Sequence, residues 1–300
     1  MSIQNEGRNV VMSDNSRVIN RVFTRTVMDD LIKNGHSEIF DVIVQRYVDD
    51  PEGKNHGELI SEIYSYLGNS YRNEYYYMNT LLNKLLVGIH SVNTTTALSQ
   101  IRVAGHIADF VMINGEGQVY EIKSDLDNFE RLNEQLFDYY KAFSKVSVLA
   151  SDHERERVEK VLDKLGDMGN SVGIYVLSEK DTIFSKTSGR QPNQYNENLD
   201  YKCIFDLLRK KEYENIILQY YHELPQVAPV FFYKACLEMF KEIPILDAQK
   251  LAFQELKKRN TITKIVFDDI PNELKAAIYF SGLYKKTPEL ISMLNTIYRR

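Results

Sequence analysis

The segment GHIADFVMINGEGQVYEIKS, residues 105–124, contains the pattern that decides the fold of this chain. Two runs of β-compatible residues flank residues 114–117 (NGEG), which are the strongest turn signal in the sequence. Asp109 lies in the first run, and Glu121 and Lys123 lie in the second. Because side chains alternate along a strand, Glu121 and Lys123 share one face of the predicted hairpin.

The length of the turn determines whether Asp109 lies on that same face. An even-numbered loop would place Asp109 opposite Ile122, whereas an odd-numbered loop places it opposite Glu121. We predict the odd loop, for example a three-residue turn with Gly117 at a bulge. The alternative is a solvated hairpin with ordinary surface charge, which the apolar residues of both strands disfavour because they predict burial on both faces.

Three ionisable side chains on one sheet face are costly to pack but suited to catalysis. Two carboxylates form an oxygen-rich site of the kind that Mg²⁺ prefers. A neighbouring lysine can orient or help deprotonate a water and neutralise the charge that develops during phosphodiester hydrolysis. Zinc is not expected, because no Cys/His cluster has ligand spacing.

The elements around the hairpin follow the order α-β-β-β-α-β-α-β. Hairpin strands come first and crossover units later, which predicts an α/β (α+β) fold with a mixed sheet flanked by helices. N-terminal helices precede the sheet, and the C-terminal part is helical in pattern throughout. The predicted organisation is a disordered tail (1–16), an N-terminal helical segment packed on the core (17–70), the α/β core (71–183), a linker (184–200) and an all-α accessory domain (201–300).

Composition excludes some classes of protein. The formal net charge of −5 argues against a protein that coats nucleic acid nonspecifically, but it allows one local basic patch. No stretch approaches the roughly 20 apolar residues of a membrane span, and the polar N-terminus does not resemble a signal peptide. Cys203 and Cys236 are expected to be buried free thiols in a reducing compartment. We therefore expect a cytoplasmic protein without a membrane partner.

The hairpin resembles the D…(D/E)XK signature of the PD-(D/E)XK, or restriction-endonuclease-like, nuclease superfamily. Asp109 and the triplet Glu121-Ile122-Lys123 carry that resemblance, and the αβββαβ order of elements matches the core of the superfamily. In the following helix, Gln135 and Tyr139 resemble the QxxxY element of the RecB-type branch. The wider resemblance covers roughly residues 20–180 and is close to a thinly characterised bacterial and phage family. Ala108 stands where many relatives carry proline.

The resemblance implies a Mg²⁺-dependent nuclease in which Mn²⁺ can substitute for Mg²⁺. Asp109, Glu121 and the carbonyl of Ile122 would hold the metal, and Lys123 would orient the water. Glu74 resembles the helix-borne glutamate that completes such sites. Gln135 and Tyr139 would position the nucleic acid, together with a phosphate-contacting patch of Arg102, Lys84, Arg131 and Lys141. A lone imidazole or hydroxyl near a site is more often structural, so His106 and Ser124 are expected to be structural.

The resemblance favours DNA over RNA and suggests phage defence or a phage or mobile-element context. Since one chain carries one such site, cutting both strands of a duplex would need a homodimer or sequential nicking. Two alternatives stay open. One is a catalytically inactive nucleic-acid-binding or protein-interaction module on the same fold. The other is a scaffold in which residues 201–300 act through a protein partner.

Overall fold

The computed structural model describes residues 18–70, 72–125, 127–178, 180, 182–184 and 189–299. The α+β class is confirmed: helices precede a mixed sheet, and the C-terminal region is helical. The predicted tail, residues 1–16, lies outside the described residues. None of the described helices is both long and apolar enough to span a bilayer.

Among the described residues, the sheet has six strands in the spatial order in which they occur along the chain. They are β1 (Thr96–Val103), β2 (His106–Asn114), β3 (Glu116–Lys123), β4 (Lys145–Ser151), β5 (Gly173–Leu177) and the two-residue β6 (Ile183–Phe184). Neighbouring strands from β1 to β3 pair antiparallel, the β3–β4 and β4–β5 pairs are parallel, and β6 pairs antiparallel with β5. Hairpins therefore come first and crossovers follow, as predicted.

The α-helices are numbered in chain order. They are α1 (Arg25–Asn34), α2 (Glu38–Tyr47), α3 (His56–Ser70), α4 (Glu74–Asn83), α5 (Leu132–Tyr139), α6 (Arg155–Leu162), α7 (Gly166–Ser171), α8 (Tyr201–Asp206), α9 (Lys210–Tyr221), α10 (Pro229–Lys241), α11 (Ile245–Lys257), α12 (Lys264–Asp269), α13 (Lys275–Ser281) and α14 (Thr287–Leu294). A π-helix, Lys84–Ile89, continues α4, and several short 3-10 helices join the other elements.

The chain divides into two compact units. The first, which we call the terminal unit, contains described residues 18–92, Ser124–Asp127 and 262–299. The second, which we call the sheet unit, contains Asn93–Lys123 and Asn128–Thr261. This division differs from the predicted boundaries at residues 70, 184 and 200, because helices α8 to α11 belong to the unit that contains the sheet.

Contacts within the sheet unit explain why helices α8 to α11 group with the sheet and not with the helices after residue 261. The Gln249 amide of α11 donates to the carbonyl of Ala142 at 2.9 Å, and the Phe253 ring stacks on Phe143 with centroids 5.3 Å apart. The described part of the predicted linker is also bound. The backbones of Arg190 and Ile174 exchange two hydrogen bonds of 2.7 and 2.9 Å. Residues 189–200 thus run along the sheet unit rather than separating two domains.

The core of the sheet unit contains residues from the strands and from both groups of helices. It includes Val119 and Val148 of the sheet, Leu136 of α5, and Phe205 and Leu256 of the later helices, all of them buried. Both cysteines are free, as predicted, but only Cys236 is buried and Cys203 is half-buried.

The terminal unit joins the two ends of the described chain. The Asn79 side chain of α4 accepts a hydrogen bond from Ala276 N at 2.9 Å and donates to the carbonyl of Asn272 at 2.8 Å. Lys286 contacts Asp29 at 2.7 Å. Residues from α1 and α4 therefore share one compact unit with α13 and the segment before α14.

Candidate functional site

The hairpin has the predicted odd register. β2 and β3 pair from Phe110↔Tyr120 to Asn114↔Glu116, around the single residue Gly115. Extending the register by one position beyond the last paired residues places Asp109 and Glu121 on the same face of the hairpin.

The glycine responsible for the turn is not the predicted one. Gly115 has φ +77, whereas Gly117 lies within β3 and pairs with Ile113. A Cβ at Gly117 would lie 2.5 Å from Cζ of Phe253, so this glycine permits close packing of α11. Two glycines two residues apart thus have different roles, and only Gly115 needs the left-handed backbone.

Asp109 lies at the position in β2 where its pairing with the neighbouring strands is interrupted. The β2–β3 pairing ends at Phe110, and the β1–β2 register skips Asp109 and Gln100, which has φ +54. The backbone N–H of Ile122 donates to Asp109 Oδ2 at 2.9 Å. A carboxylate therefore takes a hydrogen bond from the backbone at the position where the strands separate.

Glu121 is held by two side-chain donors although only 1% of its surface is exposed. Lys123 Nζ donates to Glu121 Oε1 at 2.8 Å and to Gln135 Oε1 at 2.9 Å. The Tyr139 hydroxyl donates to Glu121 Oε2 at 2.7 Å. Gln135 and Tyr139 are four residues apart on α5, so one helical face reaches both ends of the Glu121–Lys123 pair.

Tyr139 is fully buried, and its hydroxyl also lies 2.8 Å from the carbonyl oxygen of Ile107. Burial, and then the nearby charge of Glu121, raise the pKa of Tyr139 far above its usual value. The phenol therefore stays protonated and acts as a hydrogen-bond donor to Glu121.

Asp138 was missed in the sequence, although its neighbour Tyr139 was identified. Asp138 Oδ2 lies 2.7 Å from His106 Nδ1 and accepts from Gly105 N at 3.0 Å, while Lys141 donates to Oδ1 at 2.6 Å. Burial alone would raise the pKa of Asp138, but the hydrogen bonds from Lys141, His106 and Gly105 lower it. These bonds fasten the end of α5 to the start of β2.

The sequence contains only one local signal for the cluster around Asp138. The i, i+3 spacing of Asp138 and Lys141 favours an ion pair, but His106 is 32 residues away from Asp138 and no periodicity connects them. His106 contacts Asp138 at 2.7 Å, and its structural role stays a prediction. Lys141, predicted as a phosphate contact, is already engaged by Asp138.

The remaining predicted residues are exposed. Arg102 and Arg131 are exposed residues of the sheet unit, and Arg131 occupies the N-cap position of α5. Glu74, the first residue of α4, and Lys84 are exposed residues of the terminal unit. Their roles in metal or phosphate binding stay predictions.

The donor set suits a hard cation that keeps much of its water. Mg²⁺ is commonly bound through one or two carboxylates together with water and substrate phosphate. Asp109 and Glu121 supply two such carboxylates. Within the described ranges, no group of three or more His, Cys, Asp and Glu side chains is arranged to hold a metal. Two carboxylates and bound water fit a magnesium site better than a closed zinc site, which takes four protein ligands.

A family model described as Bacteriophage P4 protein cII matches residues 68–273, more than half of the chain. The chain belongs to the bacteriophage P4 protein cII family. The P4 cII match includes the hairpin, helix α5 and all of helices α8 to α11. No curated protein and no solved structure matches the chain. The resemblance to PD-(D/E)XK nucleases stays a prediction.

Proposed function

We propose that this chain is a Mg²⁺-dependent nuclease that hydrolyses phosphodiester bonds of nucleic acid. The observation that carries the proposal is the odd hairpin register, from which it follows that Asp109, Glu121 and Lys123 share one face. Mg²⁺ or Mn²⁺ bound by these carboxylates and the Ile122 carbonyl would lower the pKa of a bound water and offset phosphate charge.

The protein groups around the carboxylates have distinct roles in this proposal. Lys123 is held by Glu121 and Gln135, so it would place a positive charge beside a phosphate bound at the carboxylates. With a metal ion held by the carboxylates, the ammonium of Lys123 would orient the attacking water. Tyr139 fixes the Glu121 carboxylate, so little rearrangement is needed before reaction.

The proposed substrate is nucleic acid, with DNA favoured over RNA, and the proposed compartment is the cytoplasm. Membership of the P4 cII family supports a phage or mobile-element context. Within that context we propose a role in defence against phage, or a phage-encoded counterpart of such a role. A single chain offers one pair of facing carboxylates in this hairpin. Cleavage of both strands would therefore need a homodimer or two successive nicks.

The test is a cleavage assay on plasmid, linear duplex, single-stranded DNA and RNA with Mg²⁺, Mn²⁺ or EDTA. Wild-type protein should cleave at least one substrate only with metal. Asp109→Asn and Glu121→Gln, which keep side-chain shape, should lower the rate at least about 100-fold. Glu116→Gln is the matched control, because Glu116 pairs with Lys145 at the other end of β3 and is exposed.

Manganese binding gives a second readout that does not depend on knowing the substrate. Calorimetric titration should show a binding event in the wild type and in Glu116→Gln that both site variants lose. Nucleic-acid binding without metal-dependent cleavage by the wild type would favour the inactive binding module. Cleavage that persists in both site variants would refute the proposed site.

A further inference from the structure

Helices α9 and α11 of the sheet unit lie antiparallel and bring two basic segments together. Arg259, just after α11, donates to Glu212 of α9 through Nε at 2.7 Å and Nη2 at 2.6 Å. One turn further along α9, Asn215 donates to Glu255 of α11 at 3.0 Å. The residue number rises from 212 to 215 along α9 while it falls from 259 to 255 along α11. The two helices are therefore antiparallel, and the start of α9 lies beside the end of α11.

The resulting surface, which we call the basic end, carries an excess of positive charge. Its basic members are Arg209, Lys210, Lys211, Lys257, Lys258 and Arg259, and the acidic residues among them are Glu212, Glu214 and Glu255. Six bases and three acids leave a formal charge of +3, whereas the whole chain carries −5. The basic end is therefore a local reversal of the overall charge.

Several of these cations remain available to a ligand. Glu212 is occupied by Arg259, and Glu255 by Asn215 and Lys258. Lys210 is 72% exposed, and its ammonium lies 3.8 Å from Glu214, a weak surface pair. Arg209 and Lys211 are exposed and form no salt bridge with another described residue.

The position of the basic end relative to the candidate site follows from contacts within the sheet unit. The Thr96 hydroxyl donates to the carbonyl of Lys257 at 2.9 Å, and Thr96 pairs with Ile113 across β1 and β2. Asp109 lies four residues from Ile113 along β2, about 14 Å at roughly 3.4 Å per residue. A duplex rising about 3.4 Å per base pair needs more than about four base pairs to reach both places.

We propose that the basic end is a docking surface for the phosphodiester backbone of the nucleic acid whose strand occupies the candidate site. The proposal rests on the proposed function, and it predicts a substrate longer than the few nucleotides at the carboxylates. Lysine is depleted from protein–protein interfaces, whereas clusters of Lys and Arg are the usual electrostatic footprint of nucleic-acid binding. Backbone contacts made by lysine confer affinity without sequence preference.

The test measures binding of a fluorescent 30-base-pair duplex by anisotropy between 50 and 200 mM salt. EDTA is present throughout, so that no metal-dependent cleavage occurs. The variant is Lys210→Gln with Lys211→Gln. The control is Lys160→Gln with Lys164→Gln, because both of those lysines are exposed residues of the same unit, in α6 and just after it. Circular dichroism melting verifies that both double variants are folded.

If each substituted lysine contacts one phosphate, the slope of log affinity against log salt should become shallower by about 2. At 0.1 M salt this corresponds to binding about 60-fold weaker than wild type. The control should stay within two-fold of wild type. A three-nucleotide single strand should bind the wild type and the variant equally, because at about 3.4 Å per nucleotide it is too short to reach the basic end from the candidate site.

Two outcomes would overturn the docking surface. One is a salt dependence in the variant equal to that of the control. The other is a competition result: polyglutamate of equal charge displaces the labelled duplex as efficiently as unlabelled DNA does. That result would indicate an acidic protein partner. Cleavage without a change in slope would leave the proposed nuclease standing and remove this surface. If the lysine variant lost affinity and the wild type cleaved none of the substrates, the docking surface would stand and the proposed nuclease would be refuted.

Discussion

Replacing Tyr139 by phenylalanine should destabilise the protein by about 2 to 3 kcal/mol, a large effect for the loss of one oxygen atom. Phenylalanine keeps the ring, so the fully buried site loses no apolar volume. The Glu121 carboxylate and the Ile107 carbonyl, at 2.7 and 2.8 Å, both lose the hydroxyl proton that they share. A hydrogen bond to a charged group contributes about 1.5 to 3 kcal/mol, and the remaining acceptors lose their donor inside the core.

The adjacent residue provides a matched control. Tyr140 is also fully buried, but its hydroxyl has no hydrogen-bond partner among the described residues. Tyr140→Phe removes the same atom without breaking a hydrogen bond. It also removes the unfavourable free energy of burying an unpaired hydroxyl. We expect this variant to match the wild type or to be about 1 kcal/mol more stable.

Urea unfolding followed by circular dichroism measures both variants; the chain contains no tryptophan, so the far-ultraviolet signal is the suitable probe. With a slope of about 2 to 3 kcal/mol per molar urea, Tyr139→Phe should lower the midpoint by about 1 M. In a Glu121→Gln background the cost of Tyr139→Phe should shrink by about 1 kcal/mol, since the acceptor is no longer ionised. Equal midpoints for Tyr139→Phe and Tyr140→Phe would refute the assigned hydrogen bonds.

Three further substitutions test other parts of the sheet unit. Because the pKa of Asp138 is lowered, its stabilising effect is complete above the ordinary carboxyl pKa and disappears as pH falls through the folded-state value. Asp138→Asn should therefore flatten the loss of stability measured by urea midpoints from pH 5 to pH 3, and an unchanged pH dependence would contradict this. Gly117→Ala should cost about 1 to 3 kcal/mol, because its Cβ would meet the Phe253 ring; a midpoint equal to wild type would show that the ring moves freely. Arg259→Gln should lower the free energy of unfolding by about 2 to 4 kcal/mol, because Glu212 loses its bidentate partner. Arg259→Lys should restore only part of that free energy in the same urea assay.

The hairpin and its face could be predicted because their signals are local. Asp109, Glu121 and Lys123 lie within fifteen residues of one another, and strand alternation relates their side chains once the loop is known to be odd. The turn glycine was assigned incorrectly because residues 114–117 contain two glycines. The structure separates them by a distant contact, that of Phe253 with Gly117, which no local pattern reports.

The grouping of the C-terminal helices could not be predicted for the same reason. Residues 201–299 show helical periodicity without a break that separates α11 from α12. The boundary near residue 261 instead depends on which surface each helix packs against. Gln249 and Phe253 bind α11 to the sheet unit, whereas Lys286 contacts Asp29 in the terminal unit. The His106–Asp138 pair likewise depends on the docking of α5 and not on spacing.

The terminal unit is assembled from segments at opposite ends of the described chain, and this order has a consequence for biosynthesis. Residues 18–92 emerge from the ribosome first, but Asn272, Ala276 and Lys286, which complete their contacts, are translated only after the whole sheet unit. At about 5 to 20 residues per second, the early helices wait on the order of ten seconds or more with unsatisfied apolar surface. The sheet unit, by contrast, is complete once residue 261 has left the exit tunnel. Nascent chains arrested with residue 261 just outside the exit tunnel and the later residues still inside it should therefore contain a folded sheet unit and protease-sensitive N-terminal helices.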